Sequence, residues 1–286
     1  KYILKLGIIC LGIQLKPFEF LKFGTIAIPL IIVCIISVLV IIKLLIKKLK
    51  ISTKMAYLIS IGSTVCGTTA IMATAPIIKA SKGEVAYAIA NITIFGIISM
   101  LIYPYFANIY FNGEPLFVGL FLGTAIHETS QVAAAGLIYD QQYNSPETLN
   151  IATVTKLIRN TFLVIMIPLF AFLYNRGKTK TKNYSLLDIF PYFVLGFIGL
   201  IIFRNIGDQI FLTENAQQFW QISISNIKVG AKIFLSMAMA AVGLSTNLKD
   251  LKSMGYKPFI VGFIAMITVG LVSIITMKSF TKFFLY

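Results

Sequence analysis

Charge is scarce in this sequence: Asp, Glu, Lys and Arg make up 12% of its 286 residues, against about one quarter in an ordinary soluble domain. A chain so poor in charge, 58% hydrophobic and with a mean hydropathy of +0.87, is not a water-soluble globule. Cysteine occurs three times (Cys10, Cys34, Cys66), never in a CxxC pair, which excludes a disulfide framework and a zinc site. Histidine occurs once, at His127. With no HExxH motif and no nucleophile, base and orienter together, an enzyme is not expected. Acids are rare as well, 10 against 25 bases.

What the sequence has instead is apolar runs of membrane-spanning length. A bilayer core of roughly 30 Å needs about 20 apolar residues in helix. On that rule nine segments stand out, at 2–15, 25–46, 55–78, 85–106, 115–139, 151–174, 186–203, 222–244 and 259–277. The fold class expected is an all-α polytopic membrane protein, a single multi-pass transmembrane domain over residues 1–286. The chain starts at Lys1 rather than Met and enters an apolar run at once, so a preceding helix is expected. The net charge of +15 sits in the connectors, as at Lys43, Lys47, Lys48, Lys50 and Lys54, where it reads as cytoplasmic anchoring to anionic lipid rather than as a nucleic-acid surface. The longest connector, 204–221, is too short to fold as a receptor domain. Trp220, near a segment start, reads as an interfacial anchor.

Two segments, 55–78 and 115–139, are diluted by small and hydroxyl residues. Slid by 60 positions, Thr64 falls on Thr124, Thr69 on Thr129, Ala73 on Ala133, Ala75 on Ala135 and Pro76 on Gly136. Each has a polar centre where a helix can break. Backbone groups freed by a break inside a bilayer are tolerated only where they line a cavity or hold a ligand. Helix starts suit an anion and freed carbonyls a cation. The bland alternative is close helix packing on small residues.

The basic loops at 43–54 and 175–183 belong on one side, so an even number of crossings separates them. Four full crossings satisfy that, and so do two crossings plus two re-entrant segments. Lys79 and Lys82 follow the first diluted segment while 111–114 has no base, which favours two segments dipping in from opposite faces.

His127 and Glu128 lie within the second diluted segment, and ionisable groups at that depth are functional candidates. Together with Thr129 they are the candidate coupling residues. Thr153, Lys156, Arg159 and Asn160 fall on one helical face; the two cations could bind an anionic substrate, pair with Glu128 or snorkel to the interface. A second stripe, Ser225, Lys228, Lys232 and Ser236, starts near the membrane edge and reads as snorkelling. A further internal match joins 12–24 to 243–255, glycine-ended in both copies, and points to duplication with inverted topology.

The motifs CGTTAIMATAPIIKA, GTAIHETSQVAAAG, VTKLIRN and AAVGLSTNLKDLKSMGYKP together resemble the YeiH family of proposed sulfate exporters. The resemblance runs from Lys1 to near the C-terminus. It implies a branch of the cation/proton antiporter and anion transporter superfamily, with inverted repeats, two discontinuous helices and a core centred on about 55–80 and 115–140 that moves against a scaffold. Carried over by residue, it assigns Cys66, Gly67, Thr68, Thr69 and Ala70 to the first broken segment and His127, Glu128, Ser130 and Gln131 to the second, with Lys156 and Arg159 as a basic motif. The expected function is secondary active transport of a small anion, with proton or sodium coupling, no other cofactor, and a homodimer by analogy. A cation/proton antiporter is the alternative within transport, and a membrane enzyme or receptor outside it.

Overall fold

The computed structural model describes residues 2–14, 17–176, 193–211, 213–244 and 255–284. Among these the chain is wholly helical: α1 (Tyr2–Leu11), a short 3-10 turn (Gly12–Gln14), α2 (Pro17–Leu49), α3 (Thr53–Thr64), α4 (Thr68–Thr74), α5 (Lys82–Tyr110), α6 (Pro115–Ala125), α7 (Thr129–Tyr143), α8 (Pro146–Thr161), α9 (Leu163–Arg176), α10 (Phe193–Ile210), α11 (Glu214–Leu244) and α12 (Lys257–Phe284). Four stretches are long and apolar enough to cross a bilayer: Phe23–Leu49, Lys82–Tyr110, Pro146–Tyr174 and Lys257–Ser279. Outside the described residues lie most of the basic connector at 175–183, the start of the segment at 186–203, residues 245–254 of the second internal match, and the side chains of Lys232 and Ser236.

Local chemistry starts and stops these helices. Ser52 caps α3 by accepting from the Met55 N–H at 3.1 Å, and Ser81 with Glu84 forms a reciprocal capping box on α5. Pro115 and Pro146 open α6 and α8, where their missing N–H costs nothing.

Among the described residues, each diluted segment holds a short helix, α3 ending at Thr64 and α6 at Ala125. At about 1.5 Å per residue, the 12 residues of α3 and the 11 of α6 run about 18 and 16 Å, near half of a bilayer core of roughly 30 Å. Beyond each end the chain folds back. Lys54 Nζ, at the start of α3, donates to the carbonyl of Lys79, just past α4, at 2.6 Å. Ser52 Oγ bonds Glu84 at the start of α5, at 2.8 Å. At the other end of the bundle, Tyr139 late in α7 donates to Asn108, near the end of α5, at 2.8 Å. The two hairpins α3–α4 and α6–α7 therefore enter from opposite ends, and their tips, residues 65–67 and 126–128, meet in the middle. Composition explains why these segments are small and polar: residues 58–75 and 118–127 are all buried in protein and face no lipid.

Helix α8 locks the second hairpin in place. Gly119 and Gly123, one turn apart on α6, let α8 approach until an added Cβ at either would lie 2.6 Å from the Cβ of Ile151 or Thr155. That is the small-xxx-small device for bringing two backbones together. A second, smaller group consists of α1, α10 and α11 around Ile13, Trp220 and Ile224, and it meets the main bundle along α4 and α5.

Two sequence expectations change here. The stretch 204–221 is no connector, because α10 continues to Ile210 and α11 starts at Glu214. Trp220 is not an interfacial anchor. It is 4% exposed, stacks on Phe211 and donates from Nε1 to Asp208 at 2.7 Å, while Arg204 Nε bonds the other Asp208 oxygen at 2.7 Å. A helix start lying six residues before Trp220 turns the ring inward against α10.

Candidate functional site

Four helix ends converge where the tips meet: the carbonyl ends of α3 and α6 and the amide starts of α4 and α7. A helix leaves its last carbonyls and first N–H groups without partners, carrying partial negative and positive charge. Each end in this fold therefore needs a complement.

The carbonyl ends get theirs from α8. Lys156 and Arg159 are 0% and 1% exposed. Lys156 Nζ donates to the carbonyls of Val65 at 3.0 Å, Ile126 at 2.9 Å and His127. Three acceptors match in number the three N–H groups of an ammonium. Arg159 donates from Nε to Thr64 at 2.9 Å, from Nη1 to Thr124 and to Ile126 at 3.3 Å, and from Nη2 to Ser63. Thr64 and Thr124 are the residues that superpose in the 60-residue match, and one guanidinium holds both carbonyls. Their side chains repeat the pattern too, each hydroxyl turning back onto the carbonyls three and four residues earlier. The two cations bond the backbone of both tips, buried in the bundle, rather than pairing with Glu128 or snorkelling to the interface.

The start of α4 is complemented by Glu128. Its two carboxylate oxygens accept from the Thr68 backbone N–H at 2.9 Å and the Thr68 hydroxyl at 3.0 Å. Gly67 makes room: it adopts φ +65°, and a Cβ there would run into the Glu128 carboxylate. Glycine is needed on both counts. Cys66, Thr69 and Ala70 are buried around this tip. The carboxylate of the second hairpin thus lies where the sequence placed an anion against the first.

The start of α7 differs. Its cap residue is Glu128, whose side chain makes no capping hydrogen bond to α7, and its first turn has no acid. Thr129 is half-buried and Ser130 exposed. Asn160, one residue beyond Arg159, donates from Nδ2 to Thr129 Oγ1 at 3.2 Å. Its Oδ1 is buried without a partner. Gln131 turns away toward α5, donating to the Thr93 carbonyl at 3.2 Å and lying over Gly96. The His127 ring is 1% exposed, and neither ring nitrogen has a hydrogen-bond partner. Among the described residues no group of three His, Cys, Asp or Glu could hold a metal ion.

The structure thus gathers Cys66 to Ala70, His127 to Thr129, Lys156 and Arg159 at one point. It sets the Gln131 side chain apart, and adds Asn160 and the glycine pair of α6. The glycine spacing is readable in the sequence; the contact of Asn160 with Thr129 across 31 positions is not.

A family model described as Conserved hypothetical protein 698 matches residues 1–262. The chain is 37% identical to a UPF0324 membrane protein of Fusobacterium nucleatum, covering 96% of this chain and 80% of the relative. A UPF0324 membrane protein of Streptococcus agalactiae is 35% identical over 98% and 80%, and one of Clostridium tetani 32% identical over 98% and 80%. No solved structure matches. The chain belongs to the UPF0324 family of multi-pass bacterial membrane proteins, the YeiH family that its motifs resemble.

Proposed function

We propose that the protein is a secondary active transporter of a small anion, sulfate-like or sulfonate-like, that works by alternating access. The observation that carries this reading is the meeting of four helix ends inside the bundle, three of them already complemented by charges of the chain itself. Non-helical backbone at membrane depth is tolerated where it serves a ligand path, and opposed half-helices are how secondary transporters build a site. The exporter resemblance of the sequence favours outward transport.

Coupling to protons fits better than coupling to sodium. A sodium ion would need the freed carbonyls, and Lys156 and Arg159 already hold six of them. Glu128 is the carboxyl group at the tips, and an ionisable group at that depth is the natural carrier of a coupling proton. The cation/proton antiporter reading is weaker for the same reason: the one carboxylate at the tips is bonded to Thr68.

Reconstitution into liposomes tests this. A pH gradient is expected to drive uptake of one or more of sulfate, sulfite, methanesulfonate, bicarbonate and acetate, with no need for sodium. Glu128→Gln is expected to remove the dependence on the pH gradient. Flux of sodium or potassium with none of any anion would overturn the reading.

A further inference from the structure

We infer that the anion binds at the first turn of α7, on the Thr129 and Ser130 backbone N–H groups and hydroxyls, with the Asn160 carboxamide as its buried side-chain contact, and that it carries a single negative charge. The inference rests on the transport reading above and adds the place and the charge class of the substrate.

The place follows from what the four helix ends already hold. The α3 and α6 ends are taken by Lys156 and Arg159, and the α4 start by Glu128. The α7 start, 15 residues long, has no side-chain cap and no acid in its first turn. Ser130 is exposed there, so the end is open to a ligand. A helix start alone is only a partial charge. Here a second observation points the same way: Asn160 is 6% exposed and bonded to Thr129 through one amide atom, and its other amide atom is buried with no partner. Eight buried side-chain atoms among the described residues lack a partner, and this one belongs to an α8 side chain bonded into the first turn of the uncapped α7, where a ligand oxygen would complete it. The Thr129 hydroxyl can donate or accept, so the amide fits either way round. It can therefore offer Nδ2 to an anionic oxygen, or Oδ1 to the hydroxyl of a protonated one.

The charge follows from the same inventory. The Lys156 ammonium, the Arg159 guanidinium and the Glu128 carboxylate leave one positive charge in a buried cluster. Unbalanced charge in a low-dielectric interior is costly. A monoanion closes the balance; a dianion such as sulfate closes it only together with a proton.

The test uses the full chain in lipid nanodiscs for binding and in liposomes for flux. The anions are methanesulfonate, acetate, nitrate, bicarbonate and sulfate at pH 6 and pH 8. Wild type is expected to bind a monoanion at both pH values, and sulfate better at pH 6. Asn160→Leu should weaken binding about tenfold or more, the scale of one hydrogen bond to a charged group. Asn160→Asp should abolish binding, because it puts the chain's own carboxylate at the site. The exposed Ser130→Ala, which spares the fold, should weaken binding by a smaller factor, and each variant's unliganded melting profile is compared with wild type. Anion flux that persists with binding within about twofold of wild type in both Asn160→Asp and Ser130→Ala overturns the site and leaves the transport reading standing. Sulfate bound more tightly than every monoanion at pH 8 overturns the charge assignment. No flux of any anion in wild type overturns the transport reading itself.

Discussion

The two hairpins are the same device with one end finished differently. In α3–α4 the start of the second arm is closed by a carboxylate and buried throughout; in α6–α7 the second arm is twice as long, half-exposed, and starts without a cap. The difference falls on one matched position. Residue 68 superposes on residue 128 in the 60-residue repeat, and the two touch: Thr68 on one side, Glu128 on the other. A repeat with Glu at both positions would set two carboxylates against each other, and one with Thr at both would leave both helix starts bare. The asymmetry leaves the α7 start without a side-chain cap.

The largest effect expected from disturbing this arrangement comes from α8. Arg159→Ala strips a buried cation from four carbonyls shared by both tips, and should cost about 3–5 kcal/mol, the scale of breaking a buried charged network. Loss of folded protein, read by melting in detergent, is the expected result rather than loss of flux alone. Lys156→Met gives a sharper version. It leaves the Val65 and His127 carbonyls without a cation and Ile126 with Arg159 alone, so sodium should raise the melting temperature of this variant and not of wild type. Equal response to sodium in both would show that the lysine does not stand in for an ion.

Next comes the matched pair itself. Thr68→Glu should destabilise strongly by opposing Glu128, and the double swap Thr68→Glu with Glu128→Thr should recover much of that loss by closing the α7 start in place of α4. Melting temperatures of the three variants test this, and no recovery in the swap would mean that the two starts are not equivalent. The smallest effect lies outside the core: Trp220→Phe keeps the stacking on Phe211 and loses one bond to Asp208, worth about 1–2 kcal/mol. Anion flux should persist in that variant.

Much of this was legible in the sequence. Run lengths located the spans, and dilution by Thr, Ala and Gly located both hairpins, because protein-buried helices at close approach need small residues. The 60-residue offset paired Thr64 with Thr124, and the two carbonyls now meet on one guanidinium. The partners of Lys156 and Arg159 were not legible. They are backbone carbonyls between 29 and 96 positions away, and a carbonyl has no residue type for a pattern to reveal. Cations on a polar helix face therefore read equally well as substrate contacts. Asn160 was visible only as part of that face, since what singles it out is an orphaned atom beside Thr129. Trp220 was misplaced because helix boundaries, set here by a start at Glu214, decide which way a ring turns.

Arg159 holds Ser63 and Thr64 of one hairpin together with Thr124 and Ile126 of the other, and Lys156 bridges the same two tips. Pulling the hairpins apart would strand two buried cations at once. The tips and α8 are thus a single mechanical part: under the transport reading proposed above, a site that opens first to one face of the membrane and then to the other would travel with all three, sliding past α1, α10 and α11 as cargo on a block rather than passing through a gate between two jaws.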